Sequence, residues 1–344
     1  MFDGQNQLFC NRLVRTRKGL EREGLSPRYT LMTLMGLRQG ESFGLRNPFN
    51  AQAILNNLLK DTNWLDNIGD LGLLLWACAL IAPERYEGIY RNLNVAEALG
   101  RYRLAIQGYT MEMAWFLAGL SHGALAGLRC ISGLAGLAER SYGIVRKNQG
   151  RNGIFGHRAA GTGIAGALRD RLGSFADQVY PIYAFSKFSS AFAHEEALNR
   201  AQICAETICS AQGPLGQWWW HYDSNAGRVV GKYPVYSVHQ DAMAPMALFA
   251  LGEASSQDYD VPIFKGLAWI YGQNELNINL CEESASIVWR CIHRPKPAAY
   301  LDRVASLFGF GPLCTVPNDL RVTFEDRPYH FGWVLYAFAK YGFE

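Results

Sequence analysis

The sequence predicts an all-α protein, a single α/α toroid of about six helical hairpins running over residues 1–344. Three observations carry that prediction. A short polar patch leading into a helix that is apolar on nearly every side recurs along the chain, at spacings of roughly 40 residues. The segments between these helices are more amphipathic, as at 96–107 and 196–210. Strand signals are weak and no β–α–β rhythm is present, which argues against a doubly wound sheet. A helix apolar all round needs neighbours on every side, and a helical hairpin of this length must bury its apolar face on the next one. An inner ring of buried helices inside an outer ring of amphipathic ones meets both needs.

The recurrences read in order as follows. Arg28-Tyr29-Thr30 leads into 31–37, Gly69-Asp70 into 71–81, and Tyr109-Thr110-Met111-Glu112 into 113–120. Phe175-Ala176-Asp177-Gln178 then leads into 179–188, and Val238-His239-Gln240-Asp241 into 242–251. Glu282-Glu283 leads into 284–292, and Tyr329-His330 into 331–341. The polar residues at these helix starts are expected to gather at one mouth of the ring, where the helix N-termini also focus positive potential.

Composition narrows the function. The chain has 344 residues, 49% of them hydrophobic and 18% charged, so a large core is expected and long disorder is not. Its 33 basic and 30 acidic residues are interspersed, which leaves no basic stripe for nucleic acid. The longest apolar run, 71–83, is too short to span a bilayer. No basic and apolar leader opens the chain, so a cytoplasmic protein is expected. In that setting the eight cysteines, at 10, 78, 130, 204, 209, 281, 291 and 314, are expected to be reduced. Cys204 and Cys209 lack the two-residue gap of a zinc or redox pair. Residues 150–157 are glycine-rich but follow no strand and lack the Lys-Ser/Thr ending of a phosphate loop, so they read as a turn. Lys147, Arg151 and Arg158 read as a solvated basic face. No metal or other cofactor is expected.

One stretch carries a motif. Gln212-Gly213-Pro214-Leu215-Gly216-Gln217-Trp218 fits the pattern QxxxGxW, with partial copies at 265–273 and at Gln149, Gly153 and Phe155. Downstream come Trp218-Trp219-Trp220-His221-Tyr222-Asp223, then Tyr233-Pro234, then His239-Gln240-Asp241-Ala242-Met243-Ala244. In this order of elements, over residues 142–344, the chain resembles squalene–hopene cyclase and the wider terpenoid-cyclase superfamily of α/α toroids. The resemblance implies acid-initiated cyclisation of an isoprenoid, with Asp241 as proton donor, His239 tuning it, and Trp220, Tyr222, Tyr233 and His330 lining the pocket. The acidic neighbours of the cyclase motif are replaced here by His239 and Gln240, and the chain has length for one toroid only. Asp326, Tyr329 and His330 loosely resemble the zinc motif of protein prenyltransferase beta subunits. The Asp-x-Cys partner of that motif is not evident, so no zinc is carried over.

A second reading uses the same toroid for carbohydrate chemistry: a hydrolase, lyase or epimerase of polysaccharide metabolism, with His239, Asp241 and His330 moving protons. In it Trp220, His221, Tyr222, Asp223, Tyr233, Tyr236, Gln240 and Tyr329 bind sugar rings and hydroxyls. Glu112, Asp177 and Glu283, at the starts of other helices, add carboxylates from the same mouth, as Asp70 would. Each of these polar residues has a plainer role as a helix cap or ion-pair member. A third reading is a toroid that binds without catalysing. An apolar, aromatic-lined cavity would favour the isoprenoid, and a cleft ringed by carboxylates, His and Trp would favour the sugar.

Overall fold

Inner and outer helices alternate along the chain in the computed structural model, which describes residues 1–102, 109–158, 169–295 and 319–342. They are inner α1 (Pro27–Ser42), outer α2 (Ala51–Leu58), inner α3 (Ile68–Ile81), outer α4 (Pro83–Asn92), inner α5 (Thr110–Gly123) and outer α6 (Leu134–Arg146). Inner α7 (Ala176–Phe192), outer α8 (Glu195–Ser210), inner α9 (Ala244–Ser255), outer α10 (Asp260–Ile270) and inner α11 (Pro328–Phe338) complete the set. Each inner helix packs on the next, and α11 packs on α1, so the ring closes. The fold class is the predicted α/α toroid.

Local chemistry sets where these helices start. Ser26, Asn50 and Asn67 each accept a backbone N–H three residues on, capping α1, α2 and α3, and proline opens α1, α4 and α11. The inner helices are apolar all round because they touch neighbours on both sides and across the ring; α3 is buried from Ile68 through Ala79. Where two of them cross most closely, only glycine fits. A Cβ on Gly36 of α1 would stand 1.9 Å from the carbonyl oxygen of Gly332 in α11, and one on Gly119 of α5 would stand 2.3 Å from that of Gly72 in α3.

The axis of the ring is filled. Trp76 of α3 stacks on His122 of α5 at 5.0 Å, on Tyr183 of α7 at 4.8 Å and on Trp333 of α11 at 5.3 Å between centroids. The polar tips of these rings satisfy one another. His122 Nε2 and Tyr183 Oη are 2.7 Å apart, Tyr183 and Tyr336 hydroxyls are 2.7 Å apart, and Trp76 Nε1 donates to Tyr336 Oη at 3.2 Å. This plug closes the axis of the ring beneath the mouth.

Short strands decorate that mouth: β1 (Phe2–Asp3), β2 (Leu8–Thr16), β3 (Gly19–Leu25), β4 (Leu172–Ser174), β5 (His221–Asp223), β6 (Arg228–Gly231) and β7 (Val235–Tyr236). Beyond them lie β8 (Cys281–Glu282), β9 (Ile287–Val288), β10 (Cys291–His293), β11 (Arg321–Thr323) and β12 (Glu325–Asp326). All of them lie in segments that lead into an inner helix. The hairpin β2–β3 pairs with β12, tying the N-terminus to the entrance of α11. Strands β4, β5 and β6 form one antiparallel sheet, and β7, β10 and β11 another.

Two sequence expectations are corrected here. The segment 284–292 forms a 3₁₀ turn, β9 and the start of β10 rather than an inner helix; Ser286 takes a left-handed conformation (φ 51°) and β-branched Ile287 and Val288 follow it. Residues 8–25 form a hairpin that weak strand signals did not reveal. Of the amphipathic stretch expected at 96–107, residues 103–107 lie outside the described residues, as does Cys314. The other seven cysteines are free.

The motif glutamines have a structural role. Gln212 Nε2 donates to the carbonyl of Gly216 at 3.0 Å and to that of Pro262 in α10 at 2.9 Å. Gln149 repeats this with Gly153 at 3.0 Å and Arg200 in α8 at 3.0 Å. In both loops the glycine has positive φ, and the residue two further on, Phe155 or Trp218, has its N–H accepted by an inner-helix glutamine, Gln178 or Gln240. The stretch 265–273 lies in α10 and the turn after it and does not repeat the loop.

Candidate functional site

The mouth holds a cavity of about 190 Å³ walled by Tyr29, Trp115, Trp220, Tyr236 and Tyr329, with Arg28, Arg290 and His239 among its polar groups. Five inner-helix entrances, those of α1, α5, α7, α9 and α11, and the segments before them build it. Arg28 opens α1 and reaches across to α3, where Nε and Nη2 meet the two oxygens of Asp70 at 2.6 and 2.9 Å. Asp70 also accepts Asp66 N–H, so its carboxylate is fully engaged. Trp220 precedes β5, and Tyr236 ends β7 just before a π turn, His239–Met243, that leads into α9.

His239 is 3% exposed, stacks on Trp220 with 5.6 Å between centroids, and leaves Nδ1 without a partner. Burial, then Arg290, His330 and His221, pull its pKa down to about 3. It therefore stands at the cavity as a neutral imidazole, a hydrogen-bonding group rather than a proton carrier.

Three titratable side chains, His157, Asp177 and Glu112, gather where the starts of α5 and α7 meet. The turn 150–157 is tied to the start of α5, where Thr110 N–H donates to the carbonyl of His157 at 2.9 Å and Thr110 Oγ1 to that of Gly156 at 2.5 Å. This brings His157 beside Asp177, with Nδ1 at 3.3 Å from Oδ2. The hydrogen bond to Asp177 raises the His157 pKa against the cost of burial. Asp177 Oδ2 also accepts from Ser174 N–H and Oγ, while Oδ1, buried, has no partner. Glu112, in the first turn of α5, is half-buried and makes no hydrogen bond or ion pair among the described residues. Burial pushes its carboxyl up; Arg28 and His157 oppose this, and Asp70 and Asp177 add to it. It is a carboxyl held toward its protonated form, next in the chain to Met111, which lines the cavity.

The other expected residues separate. Asp241 faces a different space, an apolar groove of about 470 Å³ outside the ring between α10 and α11. Its Oδ1 is 2.6 Å from His330 Nε2, and both side chains are buried. His330 stands in the wall between groove and cavity, with Asp326 3.8 Å from its other nitrogen. Glu283 lies exposed on the same groove, because the helix expected to start there is a hairpin. Tyr222 is fully buried against Phe175, and Asp223 pairs with Arg171 at 3.3 Å and holds the turn after β5. Tyr233 donates to Glu275 at 2.7 Å, Gln240 braces Trp218, and His221 packs edge-on against Trp220. Of the expected set, Trp220, Tyr236, His239 and Tyr329 meet at the cavity, and Glu112 and Asp177 each follow a residue that lines it, Met111 and Ala176.

Sequence reasoning passed over Arg28, Trp115, His157 and Arg290. Arg28 and His157 stood in segments read as a generic patch and a turn, and Arg290 in one read as helix. The polar patch before each apolar helix was the signal that pointed at the first of these.

The α/α toroid is a fold this chain shares with carbohydrate-active enzymes of known structure. A family 88 glycosyl hydrolase from Bacteroides vulgatus superposes with a TM-score of 0.56 at 11% identity, over 91% of this chain and 90% of that one. The unsaturated glucuronyl hydrolase of Bacillus sp. GL1 gives 0.56 at 15% identity, over 96% and 90%. A mutant of the unsaturated glucuronyl hydrolase of Streptococcus agalactiae gives 0.57 at 9% identity, over 97% and 86%. At these identities the likeness is one of fold. No protein-family model matches the chain, and no curated protein does.

The expected isoprenoid cyclisation is corrected. The structural neighbours are glycan-degrading enzymes rather than terpenoid cyclases. Asp241, cast as the proton donor, is bound to His330 and faces the outer groove. The mouth itself is small and carries arginine side chains, which an extended hydrocarbon chain would have to desolvate without pairing. Among the described residues no helix is long and apolar enough to cross a membrane, and no His, Cys, Asp and Glu cluster has the makings of a metal site.

Proposed function

We propose that this chain is a carbohydrate-active enzyme that cleaves a saccharide ending in an acidic sugar, with Glu112 as its general acid. The observation that carries the reading is the Glu112 carboxyl, unpartnered and held toward protonation in the first turn of α5, between the cavity-lining residues Met111 and Trp115. A general acid needs a proton to give near neutral pH, and Glu112 is not tied into an ion pair as Asp70 is with Arg28. The cavity suits a sugar: flat aromatic faces stack on ring C–H groups, and few, fixed polar groups orient hydroxyls. Its Arg290 suits a carboxylate. Similarity of fold to unsaturated glucuronyl hydrolases supports the same substrate class.

In this scheme the sugar ring stacks at Trp220 and Trp115, and neutral His239 offers Nδ1 to a hydroxyl. Glu112 delivers its proton to the leaving glycosidic oxygen, or to the double bond of an unsaturated sugar. Water supplies the other half of the addition and gives up its proton to the His157–Asp177 pair. The test is to incubate the protein with unsaturated uronyl disaccharides cut from pectin, chondroitin and heparin, and with saturated uronyl oligosaccharides. Loss of the ultraviolet absorbance of the conjugated sugar, and mass spectrometry of products, report turnover. Turnover of one class, abolished in folded Glu112→Gln, is expected. No turnover of any acidic saccharide, or full activity in Glu112→Gln, refutes the assignment.

A further inference from the structure

The cavity wall that carries Arg290 is built in an unusual way. Glu325 of β12 is buried, and three guanidinium groups from separate parts of the chain converge on it. Arg290 Nη1 and Arg327 Nε both donate to Oε1, the latter at 2.7 Å, and Arg12 Nη1 of the N-terminal hairpin donates to Oε2 at 3.2 Å. Burial pushes this carboxyl up, but the Arg327 and Arg290 contacts, with Arg12 behind them, hold it below its ordinary value, so it is ionised. Arg12 also meets Glu23 at 2.6 Å. Three cations thus face two carboxylates, and one positive charge is left over beside the cavity.

Each inner arginine lies on a cavity tyrosine. Arg290 sits 5.2 Å from the centre of Tyr236, and Arg327 sits 5.6 Å from that of Tyr29, with Nη1 donating to the Tyr29 hydroxyl at 2.5 Å. Only Nη1 of the Arg290 guanidinium is used; its remaining nitrogens have no acceptor among the described residues. Arg28, by contrast, is consumed by Asp70. An arginine held from behind at one nitrogen and set over a ring is restricted in where its remaining nitrogens can point, which favours two-pronged recognition of a carboxylate.

We infer that Glu325 is a positioning residue that fixes Arg290 as the receptor for the substrate's carboxylate, and that Arg12 on the N-terminal hairpin braces it. The inference rests on the acidic-saccharide reading. It gives the hairpin a task at the site: β2 pairs with β12, so Arg12 and Glu325 move together. Truncation of the hairpin would loosen the wall without touching Glu112.

The experiment compares methyl glucuronoside with methyl glucoside, which differ only in the carboxylate, by ligand-observed NMR titration against the full chain. The wild type is expected to favour the acid by about tenfold, a discrimination of the size one oriented ion pair provides. Glu325→Gln is expected to lose most of that preference, and Arg12→Met about half of it, with glucoside affinity unchanged in both. Equal or tighter glucuronoside binding by Glu325→Gln would show that the carboxylate only offsets arginine charge, and would overturn the inference. So would a parallel loss for both sugars, the mark of a damaged fold. A wild type that binds both sugars equally overturns it too but leaves a saccharide site standing. Binding of neither sinks the saccharide reading and this inference with it.

Discussion

Replacing Asp326 by Asn should stabilise the protein at neutral pH. Asp326 is 1% exposed at the entrance to α11, accepts Arg327 N–H on Oδ1 at 2.6 Å, and leaves Oδ2 without a partner. Burial pushes its pKa from 3.8 to about 6, even with His330 nearby to favour the anion. A carboxyl whose folded pKa lies above its unfolded value resists ionisation in the native state. The penalty is absent below the unfolded pKa, grows as pH rises toward the folded one, and is complete above it. A rise from 3.8 to about 6 is a shift of about 2 units, and at about 1.4 kcal/mol per unit the penalty near neutral pH is about 3 kcal/mol. Asparagine keeps the Oδ1 acceptor and cannot ionise. Urea unfolding of both proteins at a series of pH values should show a difference near zero at the acid end that opens to about 3 kcal/mol in favour of Asp326→Asn near neutral pH. Glu325, whose lowered pKa gives stability that is lost as pH falls, is present in both proteins and cancels in the difference. A variant that is less stable near neutral pH, or a difference that does not change with pH, would refute the reasoning.

Three further outcomes are expected. Glu112→Gln should lower turnover by about a hundredfold or more with unfolding unchanged, and wild-type activity should fall as pH rises through the Glu112 pKa, because an acid that has lost its proton cannot donate it. Arg28→Met should cost about 3 kcal/mol in denaturant unfolding, since it strands buried Asp70 without its ion pair, and adding Asp70→Asn should restore most of the loss. His330, its pKa raised by Asp241 against the pull of burial, contributes stability below its unfolded pKa that is lost as pH rises through the folded one. His330→Gln should therefore flatten that slope and destabilise the protein most in mild acid, as read by thermal unfolding across pH.

Much of the architecture was legible because it is written locally. A helix that is apolar on every side can satisfy that pattern only with neighbours all round, and recurrence of the pattern makes a ring. The runs at 71–81, 179–188 and 242–251 accordingly form inner helices. The paired loops of Gln149 and Gln212 were likewise visible as spacing, since a glutamine and a glycine four residues on close a turn within one segment. The exception, 284–292, carries the β-branched Ile287, Val288 and Ile292, and its fate was decided by strand partners, β8 and β11, that no local pattern names.

The site was legible only in its ingredients. Helix-start residues could be collected from the sequence, but not sorted by which way each faces. Asp241 and His239 are two residues apart, yet the π turn sends one to the outer groove and the other to the cavity. Glu112 and Asp177 become neighbours because α5 and α7 are adjacent in the ring, and His157 joins them through its tie to Thr110. Closure of α11 on α1 brings Tyr329 against Tyr29, with 4.5 Å between ring centroids and almost the whole chain between them. The sequence by itself determined the helices, their order and the polar residues at their starts, because propensity and periodicity act over a few turns. Which carboxyl is left unpaired, which arginine keeps open nitrogens and which histidine is kept neutral were decided by the tertiary structure, because burial and pairing depend on what the closed ring brings alongside.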